Sequence, residues 1–344
     1  MFGVVCAVGA ATALLGLAGC SSTESSSTES TESRGDDAGA SFRIVTTVSP
    51  ITSLVAAVVG DAVGVAGIDG VVPEGTNSHT FEPSPSIATV LSKADVVYMN
   101  GLQLEEPTRK LAEANMKTGA EIIELGNRAI PESEYIYDFS FPKDGGKPNP
   151  HLWTNPELAK NYAQQVRDDL TQRLPGEAAV FAKNFDTLAA KIDMLSAAMK
   201  TATATVPVEQ RKLLTYHDSF PYFARDFGWT VVGAIQPSEF DEPTPRDVAS
   251  LIDQIKKEKV VAIFGSEVFP SPVLEQIGKE SGATYVDTLR DDDLPGAPGG
   301  NDHSYLGLMK ADFVTMVNAL GGDSSALTDL DVSIQMPDRA RYAQ

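Results

Sequence analysis

From Pro175 to about Thr205 the chain has no proline or glycine after Gly176, and Ala178, Phe181, Phe185, Leu188, Ile192, Leu195 and Met199 recur in steps of three and four. That rhythm puts all seven on one face of a helix. At 1.5 Å per residue a helix of about 25 residues reaches about 37 Å, long enough to run along two domains. An ordinary long helix inside one domain is the competing reading. The stretch 175–205 is taken as a linking helix, which divides the chain into halves at 42–174 and 206–320.

Both halves alternate short apolar runs with helical patterns. In the first, "FRIVTTV" (42–48), "VGVAGIDGVV", "DVVYMNG" (95–101) and "EIIEL" read as strands. Helices fall between them in "ITSLVAAVVG", in "SPSIATVLSKA" opened by Ser84 and Pro85, and from Leu104 to Met116. In the second half "KLLTYH" (212–217), "WTVVGAI" (229–235), "VVAIFGS" (260–266) and "ATYVDTL" (283–289) are strands, with helices near 219–227, 245–258, 272–281 and 304–319. Strands that alternate with helices pair in parallel through helical crossovers, so the fold class is α/β with two lobes, each a parallel sheet flanked by helices. Ligands of such sheets sit beyond the carboxyl ends of the strands, and two sheets facing each other make a cleft.

Composition narrows the partners. The chain is 344 residues long, 42% hydrophobic and 22% charged, which is globular, and its net charge of -20 argues against nucleic acid, whose recognition needs clustered Lys and Arg. An acidic balance suits cations or basic partners, or simply solubility. At the N-terminus an uncharged apolar run from Phe2 to Gly19 ends in Leu17-Ala18-Gly19-Cys20. It resembles a bacterial lipoprotein signal, in which residues 1–19 are removed and Cys20 takes lipid that anchors the chain in the bilayer. Met1-Phe2 lacks the Lys or Arg with which a secretory signal begins, which leaves a start further upstream open. The alternative is an uncleaved membrane-spanning helix. Residues 20–41, rich in Ser, Thr and Glu, read as a disordered tether, and either reading leaves the remainder outside the cytoplasm.

There are four histidines. His79 lies in "EGTNSHTFEPSP" after the second strand. His151 lies in "KPNPHLWTNPEL", where prolines exclude regular structure until a helix begins near Pro156. His217 ends "KLLTYH", and Asp287 is near the carboxyl end of "ATYVDTL". Singly, each histidine is as well explained as a hydrogen-bonded surface or hinge residue. Jointly, three histidines and a carboxylate at predicted carboxyl edges would close a four-ligand cage across the cleft.

The words around them carry more specificity than the spacing does. "GTNSHTFEPSPSIATVLSKADVVYMNGLQLE", "NPHLWTNPELAKNYA", "YHDSFPYFARDFGW" and "EPTPRDVASLI" resemble the zinc and manganese family of solute-binding lipoproteins that serve bacterial ABC importers, from about Phe42 to Leu320. The resemblance implies two α/β lobes joined by one rigid helix and a metal site in the cleft, formed by His79, His151, His217 and Asp287. It also implies a monomer held on the outer face of the cytoplasmic membrane that delivers its ion to a membrane permease.

Three imidazoles and one carboxylate favour Zn2+. Mn2+, which prefers more oxygen and more ligands, is the alternative, and iron follows. Glu82, Asp218 and Glu267 are candidates to orient the imidazoles, and Trp153 and Phe81 to exclude water or simply to pack. The loop 290–304 holds Asp291 to Asp293, Asp302 and His303. It reads either as a weak capture site or lid, or as a solvated loop in which Asp302 or Ser304 caps the last helix. His303 is the histidine that would replace an assigned ligand if one is misplaced. A secreted zinc hydrolase is disfavoured because HExxH, GxSxG and GxxxxGK[ST] are absent and a fourth protein ligand would close the position catalysis needs. A role in adhesion stays open, and the tail 321–344 carries no functional signal.

Overall fold

The computed structural model describes residues 41–236, 243–266, 272–334 and 337–343. The signal segment, Cys20, the tether up to residue 40 and Glu267 lie outside the described residues. In chain order the first part contains β1 (Phe42–Thr46), α1 (Ser49–Val59), β2 (Val65–Gly70), α2 (Pro85–Leu91), β3 (Val96–Met99), α3 (Glu106–Asn115), β4 (Glu121–Glu124), α4 (Leu125–Ala129) and α5 (Pro156–Arg173). After α6 (Ala178–Thr205) come β5 (Lys212–Thr215), α7 (Pro221–Phe227), β6 (Thr230–Ala234), α8 (Pro245–Glu258), β7 (Ala262–Ser266), α9 (Pro272–Ser281) and β8 (Thr284–Leu289). The chain finishes with α10 (Tyr305–Ala319), α11 (Ser325–Thr328) and β9 (Ala340–Arg341).

Local chemistry sets many of these boundaries. Proline stands in the first turn of α1, α2, α3, α5, α7 and α8, where its missing N–H costs nothing and its fixed φ suits the helix. Asn155 caps α5 by accepting from Glu157 N, and Thr244 and Asp247 form a reciprocal capping box on α8. Ser304 caps α10 by accepting from Gly307 N.

The strands form two parallel sheets, ordered β4-β3-β1-β2-β9 and β6-β5-β7-β8. Each has an apolar cluster on its outer face, around Val45, Val97 and Met99 in the first and Leu214, Ile252 and Ile277 in the second. Their inner faces share one large core that runs through α6. The 28 residues of α6 span about 42 Å. Phe181, Phe185, Leu188, Ile192, Leu195 and Met199 are buried, and the helix packs on α1 and α5 as well as on α10 and α11. It starts three residues later than the periodicity places it, because Pro175–Glu177 make a separate 3-10 turn.

The tail is structural. Its β9 adds a parallel strand beside β2, placing the end of the chain on the first sheet. Arg339 donates to the carbonyls of Gly60 and Ala62, Arg341 pairs with Asp69, and Glu74 N donates to Ala343 O at 3.2 Å. Among the described residues no helix is long and apolar enough to cross a membrane.

Candidate metal centre

The carboxyl ends of β2, β5 and β8, with the loop before α5, converge on one point. His79 Nε2 lies 3.1 Å from His151 Nε2 and 3.0 Å from His217 Nε2, and those of His151 and His217 are 3.0 Å apart. The ring nitrogens come from positions 72 and 138 residues from His79 along the chain. His151 and His217 are buried, whereas His79 is half-buried and lines a cavity of about 300 Å³ with Leu102, Gln103, Phe141 and Lys147.

Two of the rings are fixed from behind. His151 Nδ1 lies 2.8 Å from Asn149 Oδ1, and Asn149 Nδ2 donates in turn to Asp138 and to the Asp218 carbonyl, which fixes the orientation of the amide. His217 Nδ1 lies 2.8 Å from Gln236 Oε1. With an acceptor at Nδ1, both rings carry their proton there and turn the Nε2 lone pair inward. Asn100 donates to Pro150 O, and Thr154 Oγ1 donates to His151 O, holding the segment between prolines in place.

Three nitrogens spaced this way surround a point roughly 1.8 Å from each, close to the metal–nitrogen distance of about 2.0–2.1 Å, so His79, His151 and His217 would together hold an ion. The donor set fits a cation and does not explain itself without one. At least one of the three close contacts sets two lone pairs face to face. Burial and the neighbouring His217 hold His79 and His151 well below the usual imidazole pKa, so both rings are neutral donors at neutral pH.

The carboxylate side differs from the sequence expectation. Asp287 is exposed on β8, an edge strand, and belongs to no cluster of metal-ligating side chains among the described residues. The strand runs on to Leu289 and the chain bends only at Asp291, so Asp291 and Asp292 are the acids that reach the site. Asp291 Oδ2 is 3.6 Å from His217 Nε2 and accepts from Ser219 Oγ at 3.0 Å. Trp153 Nε1 donates to Asp291 O at 2.9 Å. Asp292 and Asp291 form a second cluster with His151, their ligand atoms all within 4.8 Å. Burial and then Asp291 push the Asp292 carboxyl well above the usual carboxylate range; Ser78 partly offsets this, yet Asp292 Oδ1 has no hydrogen-bond partner.

The loop that bears these acids is fastened across the cleft. Gly75 N donates to Asp293 Oδ2 at 2.7 Å, and Leu294 N donates to Glu74 Oε1 at 3.3 Å. Its first residues are therefore buried rather than solvated, and only residues from 296 to 302 are exposed. His303 is buried apart from the three imidazoles, 3.7 Å from Glu74 and edge-on to Tyr342. Glu82 is exposed and bonds to no imidazole. Asp218 acts through Asn149, and burial together with Asp218 pushes Asp138 up to about 9. Trp153 is fully buried with its ring 5.0 Å from that of His151, and Phe141, which no motif singled out, packs 5.4 Å from His79.

Comparison with known proteins places the chain among metal-binding proteins. Over 285 residues, 83% of this chain and 88% of the relative, the sequence is 27% identical to the iron-binding protein YfeA of Yersinia pestis. It is 26% identical to the manganese-binding lipoprotein MntA of Halalkalibacterium halodurans, with 82% and 89% covered. The fold superposes on a manganese-bound mutant of the periplasmic metal-binding protein of Candidatus Liberibacter asiaticus with a TM-score of 0.71 at 25% identity, covering 81% and 99% of the two chains. The periplasmic zinc-binding protein TroA of Treponema pallidum shares the fold, with a TM-score of 0.72 at 24% identity over 81% and 98%. The family model described as zinc-uptake complex component A, periplasmic, matches residues 44–319, and the chain belongs to that family of metal-binding proteins.

Proposed function

We propose that this chain captures one divalent transition-metal ion with His79, His151, His217 and Asp291 and delivers it to an ABC permease. The family consists of solute-binding proteins, not enzymes. The observation that carries the reading is the convergence of three Nε2 atoms at 3.0–3.1 Å, with two of the rings held from behind by amides. Three imidazoles and a carboxylate make Zn2+ the favoured cargo. Manganese is the second reading, supported by the two carboxylates beside His151 and by the relative MntA, a manganese-binding lipoprotein. Acylation of Cys20 would hold a monomer on the outer face of the cytoplasmic membrane, with the tether giving it reach.

The test is deletion of the protein followed by growth and cell-metal measurements under chelation. Loss of zinc uptake that added zinc restores supports the zinc reading, selective loss of manganese supports the second, and unchanged uptake of every metal overturns the importer role.

A further inference from the structure

We propose that the outer face of the first sheet, where β1, β9 and the end of α2 meet, carries a site for an anionic phosphate ester held by Arg43, Lys93 and Arg341. The site is separate from the metal centre and does not depend on the metal-capture reading.

The three cations come from three elements and line one cavity of about 360 Å³: Arg43 on β1, Lys93 just past α2 and Arg341 on β9. β1 is the central strand of its sheet, and Val45, two residues on and on the same face, is buried in the outer apolar cluster. A half-buried guanidinium in that place ordinarily pairs with an acid. Among the described residues the Arg43 and Lys93 side chains have no hydrogen bond or ion pair. The Arg43 backbone N–H, not its guanidinium, donates to Asp95, and Asp95 pairs with Lys117. Asp69 is the one acid among the described lining residues, and Nε and Nη2 of Arg341 both donate to it. The cavity thus gathers three positive charges against one negative in a chain whose net charge is -20. Like charges so placed repel, and an anion among them relieves the repulsion.

Between Arg43 and Arg341 the sheet presents a glycine. Gly67 stands opposite Arg43 in register, and a Cβ there would come within 3.4 Å of Arg341 Nη2. Its φ is not positive, so the backbone does not demand a glycine; the missing side chain leaves room between the two guanidiniums. Ser86 and Thr89 of α2 add hydroxyls to the lining. Guanidinium forks and hydroxyls match the oxygens of a phosphate, and the volume suits an ester rather than a bare ion. Such an ester comes either from a soluble molecule or from a phospholipid headgroup. Arg43 follows the tether read at 20–41 by two residues, which puts a headgroup within reach.

The experiment follows acylation of Lys93 by an amine-reactive ester, located by mass spectrometry on the full-length chain, with exposed Lys279 as reference. The chain is held in detergent with glycerol 3-phosphate, or in vesicles of phosphatidylglycerol or of phosphatidylcholine. Saturating glycerol 3-phosphate should slow labelling of Lys93 about fivefold relative to Lys279, and Arg43→Gln and Gly67→Val should each weaken the ester's binding about tenfold. The same protection in phosphatidylglycerol without added ester, absent in phosphatidylcholine, supports the site and identifies the headgroup as its source. Protection by glycerol 3-phosphate alone supports the site with a soluble ligand. No protection in any arm overturns the proposal, as does protection that is equal at Lys279 or that survives both substitutions, since either is the mark of unspecific charge. Should Gly67→Val not fold, Arg43→Gln, which removes no bond of the folded chain, decides alone.

Discussion

His151 and His217 each meet a neutral amide, Asn149 or Gln236, behind the ring, whereas Asp292, across the same site, keeps an oxygen with no hydrogen-bond partner. The two sides solve different problems. On the imidazole side the tautomer is set in advance and burial removes competing protons, so the donors stand ready before an ion arrives. On the carboxylate side burial and the neighbouring Asp291 work against ionisation of Asp292, which reaches its charged form at least cost when a cation is present. A neutral side gives geometry, and an acidic side gives the ion its reason to stay.

The largest effect should come from breaking the imidazole side directly. A structural zinc site yields about 10–16 kcal/mol over four ligands, so His151→Ala should weaken binding by about 60- to 700-fold. Asn149→Leu, which removes only the partner behind the ring, should cost about 10- to 100-fold. Calorimetry on both variants tests the difference; equal losses would mean that the amide, not the ring, carries the site.

The pH dependence of the metal-free protein sharpens the contrast. Burial pushes Glu105 up to about 7, Asp138 to about 9 and Asp293 to about 6, with Asp292 and Asp312 also raised well above the usual range. Between the unfolded carboxylate pKa of about 4 and these folded values the native state holds the extra protons, so stability falls as pH rises. The lowered His79 and His151 act in the opposite sense, losing stability as pH falls through about 6.5. Five acids outweigh two imidazoles. The metal-free melting temperature should therefore drop by about 5 °C from pH 5.5 to pH 8, and saturating metal should flatten the trend. A rise over that range would shift the weight to the imidazoles.

The smallest effect is the most diagnostic of where the acidic side begins. Asp287→Ala and His303→Ala should each leave metal affinity within about twofold, since Asp287 is exposed on an edge strand and His303 is buried away from the three rings. A loss from either as large as that from His151→Ala would restore it to the ligand set.

Much of this was legible in residue order. The alternation of apolar runs with helical patterns locates eight of the nine strands among the described residues, proline marks helix starts such as Pro221 and Pro245, and the seven-residue stripe of α6 identifies the spine. Strand β9 escaped because two residues carry no period, and its pairing with β2 spans most of the chain. Asn149 and Gln236 escaped because a neutral amide in a loop has no pattern that separates a ring's partner from a surface residue. Asp287 lies exposed on β8 while Asp291 and Asp292 lie beside the imidazoles; "VDTLRDDD" offers four acids, and nothing local says where β8 stops.

What the sequence by itself determined is the set of local preferences: which runs are strands, which faces are buried, where helices start, and which histidines lie at the ends of strands. Those follow from the periods of side-chain direction and from capping chemistry, which act over a few residues. The tertiary structure alone decided which carboxylate faces the imidazoles, which amides hold them and where the tail returns. Each of those depends on contacts between residues far apart in the chain, and on a bend whose shift by one residue turns a side chain to the other face.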